Sequence, residues 1–325
     1  MNDSYVFNAL DDAIVVEEMA VLIVNEVNNA STALMVINKQ QSKSDDDNTS
    51  TTDNKKDDKS SDSEKKPPVV KEGILRKFLD KLKTIFRKIK EFVSKYFRKI
   101  KEFVHKYYGK LRDKLEKKEA IIAGAKKLPD GIKFRVFGGK SAFLADKIYL
   151  KDTADVIDYH IQDFVKIAEG NATGVTINGH NTDKVLDDLM NDFKTKSEDA
   201  HTKLSTIIDA GTDAEYTKAD VVENIEKIIK FSREFKLSDA DKFEREIERK
   251  ADKAVNELVK LRGKVLVDTK LVTAMNMVMN ANQKLLSKLL DAQGKIIRNQ
   301  VFVAKSIINA CLNTESIKTG NISAQ

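Results

Sequence analysis

Few residues in this chain have the types and spacing that reactions require. Gly139, Lys140 and Ser141 match the close of a phosphate-binding loop, in which glycine amides wrap a phosphate and the lysine reaches it. That motif needs another glycine five residues before Gly139, where Phe134 stands, and Gly131 comes three residues too early. A turn between strands accounts better for the triplet. The histidines His105, His160, His180 and His201 form no His-Glu-x-x-His pair. None lies three or four residues from another histidine or a cysteine, as ligands on one helical face would. Two carboxylate groups, Asp152/Asp155/Asp158 and Asp187/Asp188/Asp192, fall among lysines on expected helices, where solvated faces and helix N-terminal charges explain them. Cys311 is the only cysteine, so neither an internal disulfide nor a cysteine zinc site is possible. No nucleophile elbow or dinucleotide fingerprint is present. No catalytic, cofactor-binding or metal-binding residue is assigned, and a non-enzymatic protein is expected.

The residues with a chemical purpose legible in their spacing are cations. Residues 71–118 hold eighteen Lys or Arg against six acids, a net +12, whereas the whole chain of 325 residues carries +6. Residues 1–37 hold six acids and no base, residues 38–70 are near neutral at −1, and residues 119–325 carry +1. Such segmentation speaks to partners rather than to fold. Arg76, Lys77, Lys81, Lys83, Arg87, Lys88, Lys90, Lys95, Arg98, Lys99, Lys101 and Lys106 are the candidate contacts to an anionic partner. A non-specific nucleic acid would be held through its phosphates by counterion release, because residues 71–118 contain no Asn or Gln to read base edges. The alternative is an anionic membrane surface gripped by the same helix, with Phe78, Phe92 and Phe103 entering the lipid. Nucleic-acid affinity should fall steeply with salt, and lipid affinity should survive in part. The plainest reading is a helix packed on its own body, its lysines keeping the outer side wet.

These cations need a rod to carry them. Leu75, Phe78, Leu82, Ile85, Ile89, Phe92, Tyr96, Ile100, Phe103, Tyr107, Leu111 and Leu115 follow one another in steps of three and four, one face of one helix. Within it Phe86–Tyr96 is repeated as Phe97–Tyr107, with Ser94 replaced by His105 as the only change. Eleven residues make three turns at ~3.67 per turn, so the stripe stays almost straight, unlike a seven-residue coiled coil.

The rest of the layout follows from composition. Only three Pro and thirteen Gly favour long helices, and 33% charged with 41% hydrophobic residues suits a soluble protein with a core. The expected architecture is mainly α, elongated, with long amphipathic helices and a small β-hairpin insertion. An acidic helical head (1–37) leads to a polar linker (38–70) whose residues 38–66 lack any aliphatic or aromatic side chain, which predicts disorder. The basic helix region (71–128) precedes a region (129–181) in which Ile132–Phe137 and Ala142–Leu150 are expected to pair as the hairpin, with a third short strand at Val175–Ile177. A helical bundle body (182–312) follows. Helices are expected at about 183–208 behind Asn181 or Thr182, at about 218–235 behind Thr217, from Ser238 to about Leu266, and over 268–312; residues 313–325 form a tail. Asn282, Gln293 and Gln300 interrupt the last apolar face, either as buried amides that fix register or as an exposed flank. The first residues lack the positive region of a secretory signal, and the apolar run Ala13–Val24 is too short to span a bilayer, so cytoplasmic synthesis is expected. The acidic head, on its tether, could fold back and mask the basic helix.

An acidic, apolar first segment (Asp11–Val27), a polar spacer (Asn38–Lys66), a lysine-rich helical body and the run Met275–Leu290 together resemble the internal or structural virion proteins of large tailed bacteriophages. The resemblance covers layout rather than a specific motif. It implies a virion location, nucleic acid and other virion proteins as partners with self-association left open, and no catalytic residues. In some such phages a head protease cuts after Glu, and Glu64 is then the expected cut between spacer and body.

Overall fold

The computed structural model describes residues 72–136, 140, 151–209, 214–234, 237–261 and 268–314. The acidic head, the linker, Glu64 and the expected second hairpin arm at 142–150 lie outside them. The chain is mainly α. In order, the elements are α1 (Glu72–Leu115), α2 (Lys118–Lys127), β1 (Lys133–Val136), α3 (Lys151–Asp155), α4 (Ile161–Thr173), α5 (Thr182–Asp209), β2 (Ala214–Thr217), α6 (Lys218–Glu234), α7 (Leu237–Leu258) with a 3₁₀ turn to Leu261, and α8 (Thr269–Leu312).

Helices α1 and α8 are each 44 residues long, ~66 Å at ~1.5 Å per residue, and both run through two cores. The larger core packs the stripe Leu75–Ile100 of α1 with α4, α7, Leu186–Leu204 of α5 and Leu271–Val301 of α8. The smaller gathers Leu111 and Leu115 with α2, the strands, α6 and Val303–Cys311 of α8. Helix α8 is the central element. Along it Leu271, Met275, Val278, Leu285, Leu289, Val303, Ala304, Ile307 and Cys311 are buried and Ile296 is half-buried. Asn282, Gln293 and Gln300 are inside, and Asn282 donates to the Asp158 carbonyl (2.6 Å), pinning the α3–α4 loop.

Local chemistry sets the helix starts. Asp268 accepts from the Leu271 amide (2.7 Å) at the head of α8 and also takes a bond from Asn171 (3.1 Å), which fastens the end of α4 there. Asn181 accepts from the Lys184 amide (2.9 Å) at α5. Asn178 and Gly179, both at positive φ, make a tight turn closed by a bridge between Ile177 and His180, in place of a strand. Helix α1 stops at Leu115 with no proline or glycine to stop it. The Leu115 carbonyl is taken by Arg233 of α6 (2.7 Å), which satisfies an end group of the helix from outside.

The small sheet corrects one expectation. Strand β1 forms where alternation predicted it, but it pairs antiparallel with β2, in the register Lys133↔Thr217 to Val136↔Ala214. The partner is not the next segment along the chain. Val136 and Tyr216 bury on one side of the pair, and Lys133 bridges Glu215 (2.6 Å).

Strand β2 leads into α6 through a capping box. The Thr217 amide donates to Asp220 (2.7 Å) and the Asp220 amide to the Thr217 hydroxyl (3.4 Å). Lys140 pairs with the same Asp220 oxygen (2.7 Å), so the lysine of the glycine triplet is engaged in holding this corner. The Lys140 ammonium and the Thr217 amide pull the Asp220 carboxyl down from the usual range to about 2. A lowered carboxyl pKa contributes stability that is complete above the unfolded value near 3.8 and is lost as pH falls through the folded value. Between pH 5 and 2 the melting temperature of Asp220→Asn should therefore fall less than that of the parent protein, as thermal melts followed by circular dichroism would record. An equal fall would mean that the carboxylate is not held in this way.

Candidate anionic-partner face

The outer side of α1 is built by its period. Burial extends the eleven-residue interval to a third copy, Leu75–Ile85, before the two evident ones: Leu75, Phe86 and Phe97 stand at equivalent positions, as do Phe78, Ile89 and Ile100. All six are buried. The first copy escaped notice in the sequence because Leu79 and Lys81 stand where the later copies have lysine and phenylalanine.

At ~100° per residue the cations fall into rows along the rod. Arg76, Arg87 and Arg98 form one row, eleven residues apart, and all three are exposed. Among the described residues none of these arginines makes an ion pair. Lys77, Lys81, Lys88, Lys95 and Lys99 form a second row on one flank, with Lys77, Lys81 and Lys95 exposed and Lys88 and Lys99 half-buried. Asp80, Glu91 and Glu102 are exposed at the same eleven-residue interval, each one turn beyond an arginine.

The other flank meets α7. Lys90 holds both carboxylate oxygens of Asp252 (2.7 and 2.8 Å), and Lys101 pairs with Asp241 and with Glu244 (2.8 Å). Lys90 and Lys101 are eleven apart, and so are Asp252 and Asp241. The two helices therefore run antiparallel with matched three-turn steps. Phe243 and Ala254, and Ile247 and Leu258, repeat the interval on the buried side of α7. Burial alone would lower the pKa of Lys101, but the hydrogen bonds it donates to Asp241 and Glu244 outweigh it and hold the ammonium above its ordinary value.

Of the twelve candidate cations, Arg76, Lys77, Lys81, Arg87, Lys95 and Arg98 face solvent, and Lys83, Lys88 and Lys99 are half-buried. Lys90 and Lys101 are engaged by α7. Lys106 is within α1, but its side chain, like that of Phe103, lies outside the described residues. Among the described residues the apolar side does not face solvent: Phe78 is 1% exposed and Phe92 is 3% exposed. Insertion of Phe78 and Phe92 into lipid would require α1 to leave its core. No helix among the described residues is long and apolar enough to cross a membrane.

Several of the remaining chemistry-bearing residues make local structural contacts. Asp158 accepts from the His160 amide (3.0 Å) and Asp192 pairs with Lys196 (2.7 Å). His160 meets Asp163 (3.1 Å) at the start of α4, where that bond, against the opposing effect of burial, holds the Asp163 carboxyl below its ordinary value. A cleft beside this loop, lined by Tyr159, His160, Lys250, Lys253 and Glu257, is crossed by Lys250 reaching the Ala154 carbonyl (2.6 Å). Cys311 is buried, and burial pushes its thiol up to about 12. Comparison with protein-family models, curated proteins and solved structures found nothing that matches this chain.

Proposed function

We propose that this chain is a non-enzymatic structural or internal head protein of a phage particle, and that the outer side of α1 holds DNA through its phosphates. The observation that supports the reading best is the division of α1. Among the described residues its aromatic side chains, Phe78, Phe86, Phe92, Tyr96 and Phe97, are consumed by the protein's own core, so what this part of the helix offers a partner is charge. Charge without apolar contact suits a polyanion better than a bilayer, whose binding needs buried apolar area as well. The virion part rests on the resemblance in layout described above.

Two measurements test this. Binding of the full chain to labelled mixed-sequence duplex should weaken ~10³-fold between 50 and 200 mM salt, as for roughly six phosphate contacts. No binding at the lower salt, or affinity indifferent to salt, would remove DNA as the partner. A mass-spectrometric inventory of purified particles should contain this chain, with a new N-terminus after Glu64; particles that lack it would refute the virion role.

A further inference from the structure

We infer that the nucleic acid held by α1 is a duplex lying parallel to the helix axis, its two strands met in turn by Arg76, Arg87 and Arg98. This rests on the polyanion reading of the face and goes beyond it in naming strandedness and orientation.

The spacing carries the argument. Successive arginines of the row are eleven residues, or ~16.5 Å, apart along α1, and Arg76 and Arg98 are ~33 Å apart. A B-form duplex turns once in ~34–36 Å. Along one side of it each strand passes once per turn, so one strand or the other passes about every 17 Å. Three arginines on a straight rod thus meet strand, opposite strand and first strand again. The unequal grooves displace these crossings from even spacing by a few ångströms, which the flexible arginine stems take up.

Two further observations favour this over other polyanions. Asp80, Glu91 and Glu102 break the face into separate cationic points. A flexible or irregular polyanion gains nothing from such points, whereas a rigid periodic one does. Single strands are held by stacking bases on exposed aromatic rings, and the aromatic side chains described on α1, Phe78, Phe86, Phe92, Tyr96 and Phe97, are all buried. The absence of Asn and Gln from α1 makes the contact indifferent to base sequence.

The test moves one charge without removing it. In the double variant Arg87→Ser with Ser94→Arg, the arginine stays on the outer side, because Ser94 is exposed and lies nearly in line with Arg76, but it shifts ~10 Å along the rod. Full-length parent, this variant and Arg76→Gln/Arg87→Gln/Arg98→Gln are titrated against a 24-base-pair duplex, a single strand of equal length, heparin, and vesicles of phosphatidylglycerol and phosphatidylcholine. Unchanged helicity and melting temperature establish that each folds. The parent should prefer duplex to single strand at least fivefold. The shifted variant should lose that preference while keeping its heparin affinity, and the triple variant should lose both. If the shifted variant binds duplex as the parent does, or the parent prefers the single strand or vesicles, the inference is overturned while polyanion binding stands. If the parent binds no polyanion, the underlying reading falls as well.

Discussion

Replacing Gly124 with alanine is expected to cost about 3 kcal/mol of folding stability, although alanine is the better helix former by about 1 kcal/mol. The sign is reversed by a close approach. A Cβ on Gly124 would sit 1.8 Å from the Cys311 carbonyl oxygen and 2.6 Å from its carbon, both backbone atoms of α8. Neither can rotate away, so α2 must move off α8, and Ile121, Ala125 and Leu128 lose their packing in the smaller core. Gly73 supplies the control. It lies in the first turn of α1 with nothing near its absent Cβ, and Gly73→Ala should stabilise by roughly 0.4–1 kcal/mol. Urea unfolding of both variants would read these opposite signs. A Gly124→Ala protein as stable as its parent would mean that α2 and α8 are not in backbone contact.

The second large effect is at Phe97, where truncation to alanine should cost about 3–5 kcal/mol. The ring is fully buried between Tyr96 and Phe243, with centroids 5.3 and 5.8 Å away in edge-on arrangements, and it anchors α1 on α7. Its counterpart in the preceding copy, Phe86, is equally buried but meets Tyr159 of the α3–α4 loop at 4.7 Å. Phe86→Ala should cost a similar amount through different neighbours. Phe97→Ala should couple to Phe243→Ala by about 1 kcal/mol in a double-mutant cycle, and Phe86→Ala should not. By contrast Lys90→Ala, which breaks a bridge with half its atoms in water, should cost no more than about 1 kcal/mol. A loss at Phe97 no larger than that at Lys90 would contradict the packing of α1 on α7.

What the sequence made legible was decided by signals close along the chain. The starts of α5, α6 and α8 are set by Asn181, Thr217 and Asp268, whose side chains cap amides three residues on, and the expected boundaries agree with the observed ones. The stripe of α1 was readable for the same reason: a period needs only neighbours. The break at Leu115 was not, because its cause, Arg233, is 118 residues away. Nor was the partner of β1. Four alternating residues fix a strand but not its mate, and Ala214–Thr217 contains little that marks a strand before Tyr216 and Val136 bury together. Burial of Asn282 was left open as one of two outcomes, since whether an amide meets water or a carbonyl such as that of Asp158 depends on another segment. The cations of the candidate face were all named in advance, but not the engagement of Lys90 and Lys101 by α7.

The shared interval of α1 and α7 also limits how such a chain can change in length. Removing two or five residues from α1 alone would rotate its apolar stripe out of the core, and removing seven would keep the stripe but carry Lys90 past Asp252. Removing eleven from α1 and eleven from α7 together would return the residues these two helices share to equivalent neighbours, three turns nearer. The α1–α7 pair can therefore grow or shrink by ~16.5 Å at a time, in paired steps that keep its shared face, provided α8 changes length with it. The near-identical copies Phe86–Tyr96 and Phe97–Tyr107 are what one tandem duplication of such a step would leave behind.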